Sequence, residues 1–232
     1  MRVAVIIPAY NEEHRIANVL RPITAAALPH EILVVCDGCT DRTAEVAATF
    51  PEVRVIDLKQ NVGKGGAMAM GVTSTDCEII CFVDADLLDL RPEHIDKIIL
   101  PLLSGTADMV VGVFRGGKFW SETAQRVTPH FSGQRAMFRT FFASIQINPD
   151  VRFGIELALN QAAKKQFLRV RRVLLHGVSN THKEEKMGFV QGTAARTKMY
   201  AEIAKALVQT RNREIATRKR KQRRSKNGRR LL

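Results

Sequence analysis

Two aspartates one residue apart, Asp84 and Asp86, directly follow the apolar run Ile79-Ile80-Cys81-Phe82-Val83. Carboxylates held that close repel each other, and a hard divalent cation relieves the repulsion. Manganese or magnesium at such a pair can bridge a diphosphate and neutralise the charge that builds on a leaving phosphate. Taken alone, Asp84-Ala85-Asp86 fits an acidic turn or a helix cap equally well. It is not alone. Ile7-Pro8-Ala9-Tyr10-Asn11-Glu12-Glu13, Asp37-Gly38-Cys39-Thr40-Asp41 and Asn61-Val62-Gly63-Lys64-Gly65-Gly66 each follow a further short apolar run. In the last, glycines allow close backbone approach, and Lys64 can meet a phosphate or a nucleobase carbonyl. The pattern G-x-x-x-x-G-K-[ST] is absent, and Pro8-Ala9-Tyr10-Asn11 replaces G-x-G-x-x-G, so neither a P-loop nor a dinucleotide fingerprint is present.

Further along the chain, Phe153-Gly154-Ile155-Glu156 places a carboxylate at a helix start. It can serve as a general base, or simply sit there because the helix dipole favours an acid. Ser132-Gly133-Gln134-Arg135 reads as a helix opening whose backbone N–H groups and Arg135 could bind an anionic acceptor. His176 and His182 flank Gly177–Thr181; His176, at a strand end, reads as structural.

The elements that must position these residues follow from periodicity. Continuous apolar runs at Val3–Ile7, Ile32–Cys36 and Glu78–Val83 read as strands buried on both faces, joined by Val53–Asp57 and Asp108–Val113. Helical patterns fall between them, at about 12–20, 41–50, Gly63–Val72 and Pro92–Leu103, with Thr40-Asp41 as cap and Pro92 in a first turn. Strand–helix alternation of this kind predicts a mostly parallel sheet with helices on both faces, and ligands outside the carboxyl ends of its strands. The acidic and glycine-rich segments all fall there. In the second half, 114–133 reads as loops, Gln134–Ala143 and Ile155–Lys165 as helices, Phe167–Leu175 as a strand with one wet face, and Phe189 to about Thr210 as a terminal helix.

The series I-P-A-Y-N-E-E, C-D-G-C-T-D, N-V-G-K-G and V-D-A-D, in that order and spacing, resembles the family 2 glycosyltransferases of the GT-A fold. The resemblance is strong over about residues 1–115 and looser over 130–190. It implies a nucleotide-binding α/β/α sandwich that uses a UDP- or GDP-sugar with manganese or magnesium. Pro8, Ala9, Tyr10 and Glu12 would line the nucleoside pocket, with Glu12 on the ribose. Asp37 would hold the base edge, and Lys64 would lie at the nucleotide. Asp84 would meet the ribose or the metal, and Asp86 would ligate the metal. Cys36 and Cys39 depart from the usual D-D-G-S, and the first of its aspartate positions is lost. Inverting relatives carry a Glu-Asp pair near Glu156; Leu157 replaces the second acid here, leaving Glu156 as base or orienting residue. His182 stands where some GT-A enzymes, including glucosyl-3-phosphoglycerate synthases, supply a third metal ligand. Ser132, Gly133 and Arg135 would lie on the acceptor side.

The 232 residues suffice for one large domain, and 45% hydrophobic content for a full core. Net charge is +13, but residues 211–232 hold eleven Lys or Arg against Glu214, a net of +10, which leaves +3 for the remainder. The expected organisation is a transferase domain over 1–210, with a nucleotide-binding half at 1–115 and an acceptor half at 116–210, then a basic tail. That tail has no interleaved aromatics for stacking on bases, so specific nucleic-acid binding is not expected. It suits an anionic membrane surface, and a lipid-linked acceptor agrees with it. The run Val3–Ile7 is too short for a signal peptide and no stretch nears the ~20 apolar residues of a span, so a cytoplasmic protein, peripheral at the inner membrane face, is the expectation. Cys36, Cys39, Cys77 and Cys81 suggest zinc by count, but Cys36 and Cys81 lie in apolar runs and read better as small core hydrophobes.

Two other function classes compete. A nucleotidyltransferase would use acids at strand ends, yet it calls for a Gly-rich, basic signature after the first strand, which Pro8-Ala9-Tyr10-Asn11 lacks. A non-catalytic binding module would not need Glu12, Asp37, Asp84 and Asp86 together.

Overall fold

In a computed structural model of the chain, residues 1–115, 132–145 and 155–180 are described. They all fall within one compact unit, Met1–Thr181. His182, the segment 189–210 read as a helix, the basic tail, Phe153-Gly154 and most of the expected loop region lie outside the described residues.

Seven strands form one sheet. β1 (Val3–Ala9), β2 (Glu31–Asp37), β3 (Val53–Leu58) and β4 (Ile79–Phe82) run parallel, and β6 (Met109–Arg115) is parallel to β8 (Val170–His176). The spatial order is β3-β2-β1-β4-β7-β6-β8, where β7 (Arg135–Phe138) is antiparallel to both neighbours. β5 (Leu87–Leu88) and β9 (Ser179–Asn180) make a separate two-stranded ribbon. The helices are α1 (Ile16–Thr24), α2 (Thr43–Ala48), α3 (Gly63–Thr73), α4 (Pro92–Leu103), α5 (Arg139–Ala143) and α6 (Ile155–Lys165).

Strand side chains point alternately to the two faces, so a strand covered on both sides must be apolar throughout. β1 shows this: Val3, Val5 and Ile7 join one core cluster, Ala4 and Ile6 the other. The first cluster takes Ile16, Val19, Leu20 and Ile23 of α1 and Ile95, Ile98, Ile99 and Leu102 of α4. The second takes Ala67, Met68 and Val72 of α3, Phe141 and Phe142 of α5, and Ile155, Leu159 and Ala163 of α6. The result is the expected α/β/α sandwich with a mostly parallel sheet. Cys36 and Cys81 are buried in β2 and β4 as core residues, and burial pushes the Cys81 thiol up to about 12.

The expected helix over Gln134–Ala143 is corrected by the structure. Its first half is β7, and only Arg139–Ala143 is helical. Ala136 and Met137 are both fully buried because β7 fills the gap between β4 and β6. A short apolar run carries no periodicity that separates strand from helix, so long-range pairing decided it. Other boundaries move slightly: α1 starts at Ile16 rather than near residue 12, and β8 starts at Val170.

The late start of β8 has a local cause. Leu168 N–H donates to Ala163 O at 3.0 Å and Phe167 N–H to Lys164 O at 3.3 Å, the paired bonds of a Schellman ending to α6. Phe167 occupies its left-handed position at φ 55° with 92% of its surface exposed. Glycine is the usual occupant, because a Cβ is strained there. Phe167→Gly should therefore stabilise the protein by about 1 kcal/mol in urea unfolding at unchanged m-value.

Candidate active site at the carboxyl edge of the sheet

Strand ends bring the chemistry-bearing residues to one edge. β1 ends at Pro8-Ala9, β2 at Asp37, and β4 two residues before Asp84. The turn after β3 leads into Lys64 on the first turn of α3, and Glu156 sits in the first turn of α6.

The first two segments interlock. Asn11 adopts φ 54°, and its side-chain oxygen accepts from Thr40 N–H at 2.8 Å while its amide nitrogen lies 3.1 Å from Thr40 Oγ1. Glu12 N–H donates to Thr43 Oγ1 at 2.8 Å, and Glu13 N–H to Asp41 Oδ2 at 3.1 Å. Asp41 also accepts from Thr43 N–H at 3.0 Å, at the start of α2. Burial pushes against the Asp41 carboxylate, yet these hydrogen bonds win and hold its pKa below the usual range. Glu12 is buried, with Arg15 Nη1 at 3.4 Å from its Oε2, whereas Tyr10 is half exposed. Asp37 is buried, and its Oδ1 accepts from Val62 N–H at 2.7 Å while its carbonyl accepts from Asn61 Nδ2 at 3.0 Å. Gly38, at φ 67°, lies so close that an added Cβ would come within 2.6 Å of Asn61 N. The Asp37-Gly38 corner thus fastens the loop that delivers Lys64.

The centre of the site is a three-residue ionic bridge. Lys64 Nζ lies 2.8 Å from Asp84 Oδ1 and 2.7 Å from Glu156 Oε1. Burial works against the ammonium, but the Asp84 and Glu156 carboxylates more than offset it and hold Lys64 above its ordinary value. Burial likewise opposes ionisation of Asp84; Lys64, with help from Gln134 and Arg135, keeps it below the usual carboxylate range. Residues from α3, the end of β4 and α6 therefore meet at one cation, although 92 positions separate Lys64 from Glu156.

Not every expected role finds its expected setting. Ser132-Gly133 does not open a helix; it leads into β7. Arg135, expected to bind an anionic acceptor, is instead fully buried. Its Nε and Nη2 donate to Ser132 O at 3.1 and 2.5 Å, and its Nη1 lies 3.4 Å from both Glu156 O and Asn160 Oδ1. The guanidinium thus braces the first turn of α6 from inside. Gly133 backs directly onto Asp84, whose carboxylate an added Cβ would strike. Gln134, given no role by the sequence, is buried and donates from Nε2 to Asp84 Oδ2 at 2.8 Å. Its partner lies 50 residues away, and a glutamine in a short run carries no outward sign of that contact.

A divalent cation fits this edge by charge, since two carboxylates already hold an ammonium between them. Among the described residues no three of His, Cys, Asp and Glu gather at one point. Asp84 and the half-buried Asp86 are the residues that would hold it, with diphosphate oxygens completing the shell.

Because Asp84 is held ionised in the fold, its pairing stabilises the protein above the unfolded carboxylate pKa of about 3.9 and is lost as pH falls through the lower folded value. Lys64→Met should cost about 1–2 kcal/mol at pH 7. The deficit should shrink below about pH 4, where Asp84 of the intact protein protonates and its pairing with Lys64 is lost, measured by urea unfolding across that range.

Comparisons with known proteins agree with this architecture. The family profile described as "Glycosyl transferase family 2" matches residues 4–163. A dolichyl-phosphate beta-glucosyltransferase of Mus musculus is 29% identical over 193 residues, covering 72% of this chain and 57% of the relative. The Drosophila melanogaster protein of the same name is 37% identical over 113 residues, 42% of this chain and 34% of its own length. The chain thus spans little more than half, or less, of these relatives. A crystal structure of glucosyl-3-phosphoglycerate synthase from Mycobacterium tuberculosis, in complex with Mn2+, UDP and glucosyl-3-phosphoglycerate, superposes with a TM-score of 0.71 at 24% identity, over 87% of this chain and 78% of that one. The fold is shared with that enzyme, and with the profile spanning both Lys64 and Glu156, the chain belongs to glycosyl transferase family 2.

Proposed function

We propose that this protein transfers a sugar from a UDP- or GDP-sugar to an acceptor hydroxyl or phosphate in a reaction that depends on manganese or magnesium. The observation that carries this reading is the Lys64 bridge, which gathers the Asp84 and Glu156 carboxylates around one cationic point at the carboxyl edge of the sheet. Pro8, Ala9, Tyr10 and Glu12 line the nucleoside side, Asp37 holds the loop beside the base, and Asp84 with Asp86 holds the cation. His182 is the proposed third protein ligand. The bound cation supplies charge neutralisation at the leaving diphosphate. Lys64, placed on the glycine-rich turn, meets the same diphosphate.

Glu156 is the proposed base. With a hydroxyl acceptor, its carboxylate takes the O–H proton, the acceptor oxygen bonds to the anomeric carbon, and the bond to the diphosphate breaks with its electron pair going to the nucleotide. A phosphate acceptor is already ionised and needs only orientation. Ser132 and Gly133, the latter packed against Asp84, are the proposed acceptor-side residues. A phosphorylated acceptor, either a small molecule or a lipid phosphate, agrees with the names of the relatives. No helix among the described residues is long and apolar enough to cross a membrane. For a lipid acceptor, the tail 211–232 is the segment suited to hold a cytoplasmic enzyme domain, residues 1–210, against an anionic bilayer.

Thermal melting with UDP, GDP and CTP, each with and without manganese, tests the donor reading. A rise of about 5 °C at saturating UDP or GDP with metal is expected, and it should vanish in a folded Asp86→Ala variant. An equal rise in that variant rules out the metal assignment. Deleting 211–232 should leave turnover of soluble substrates nearly unchanged while reducing sedimentation with phosphatidylserine vesicles; equal sedimentation of both forms removes the tail's role.

A further inference from the structure

The two oxygens of Asp84 have partners of opposite character. Oδ1 faces the Lys64 ammonium at 2.8 Å, a charge at the end of a flexible four-carbon stem on a side chain 32% exposed. Oδ2 faces the Gln134 amide, also at 2.8 Å, on a side chain that is 1% exposed. The Gln134 amide cannot turn over. An ionised carboxylate only accepts, so the NH2 side must face Asp84, and the reversed amide would set oxygen against oxygen. Its Oε1 lies 2.9 Å from Ser132 Oγ, which also reaches the Gly112 carbonyl. Its own carbonyl accepts from Gly112 N–H at 2.8 Å. Gly133 packs beneath the carboxylate, where any side chain would displace it.

We infer that Gln134, seated over Gly133, is a positioning residue that fixes Asp84 Oδ2 while Oδ1 exchanges Lys64 for the incoming ligand, either a nucleotide-bound cation or a ribose hydroxyl. The inference rests on the donor reading proposed above. Its physical basis is the softness of the aspartate χ2 torsion, which is broad and nearly two-fold. When Lys64 swings toward the diphosphate, a carboxylate held only by that lysine would be free to rotate. The Gln134 bond removes that freedom, so the ligand meets an oxygen already aimed at it. Gln134 acts through Asp84, and its contribution belongs in nucleotide affinity rather than in fold stability alone.

The test uses Gln134→Met, which keeps length without a donor, and Gly133→Ala, which pushes on the same carboxylate from below. Met137→Ala, at a fully buried site on β7, the strand that follows Gln134, serves as a packing control. UDP and GDP are titrated into each full-length protein with MnCl2 by calorimetry, and melting is followed in parallel. Both test variants should weaken binding of the preferred nucleotide about tenfold, while Met137→Ala lowers the melting temperature and leaves the Kd within twofold. Wild-type protein that binds neither nucleotide with manganese overturns the donor reading, and this inference with it. Wild-type binding with unchanged affinity in Gln134→Met and Gly133→Ala overturns the positioning role alone. A loss in Met137→Ala as large as in the test variants does the same, by tracing the effect to packing.

Discussion

Lys64 Nζ, 2.8 Å from Asp84 and 2.7 Å from Glu156, is the contact around which the carboxyl edge of this protein is organised. Two carboxylates brought together and largely buried repel, and each loses hydration. One ammonium between them removes both problems. The same negative charge is what would hold another cation there if the lysine turned away, as the proposed function requires.

Much of the surrounding structure delivers those three groups. The loop carrying Lys64 is fastened by Asp37 Oδ1 to Val62 N–H and by the close approach of Gly38 to Asn61. Asp84 follows β4, the strand between β1 and β7, whose residues are all buried. Glu156 rides on α6, anchored to the sheet by Ile155, Leu159 and Ala163 and braced from within by Arg135. A buried guanidinium is costly unless its donors find acceptors; here Ser132 O takes the two shortest bonds. Supports of this kind hold the backbone that carries a polar site in place.

β7 gives the sheet its mixed character. It enters antiparallel between β4 and β6, contributing Ala136 and Met137 to opposite cores. The residues just before it, Ser132 to Gln134, thereby come against Asp84. A helix in that place would have turned Gly133 and Gln134 elsewhere. The insertion links the strand-end motifs of the first half of the chain to the helix that carries Glu156.

The first half of the fold was legible in the sequence for a physical reason. Strands buried on both faces must be continuously apolar, and the helices between them must show one apolar stripe. Runs such as Val3–Ile7 and Ile32–Cys36 therefore announce themselves, and the residues after them fall at the ligand-binding edge by topology alone. The positions of Asp37 and Asp84 just past buried strands were readable on the same basis, whereas Glu156 stood out only by its place at a helix start and by the family resemblance. Only tertiary structure decided how they pair. Lys64 meets Glu156 across 92 positions and Gln134 meets Asp84 across 50, and no local pattern encodes a contact of that span. Tertiary structure also made Arg135-Ala136-Met137-Phe138 a strand, because an open place between β4 and β6 offered hydrogen bonds that a short apolar run could satisfy as readily as a helix. Arg135 turned inward with it, toward carbonyls that its neighbours along the chain do not reveal.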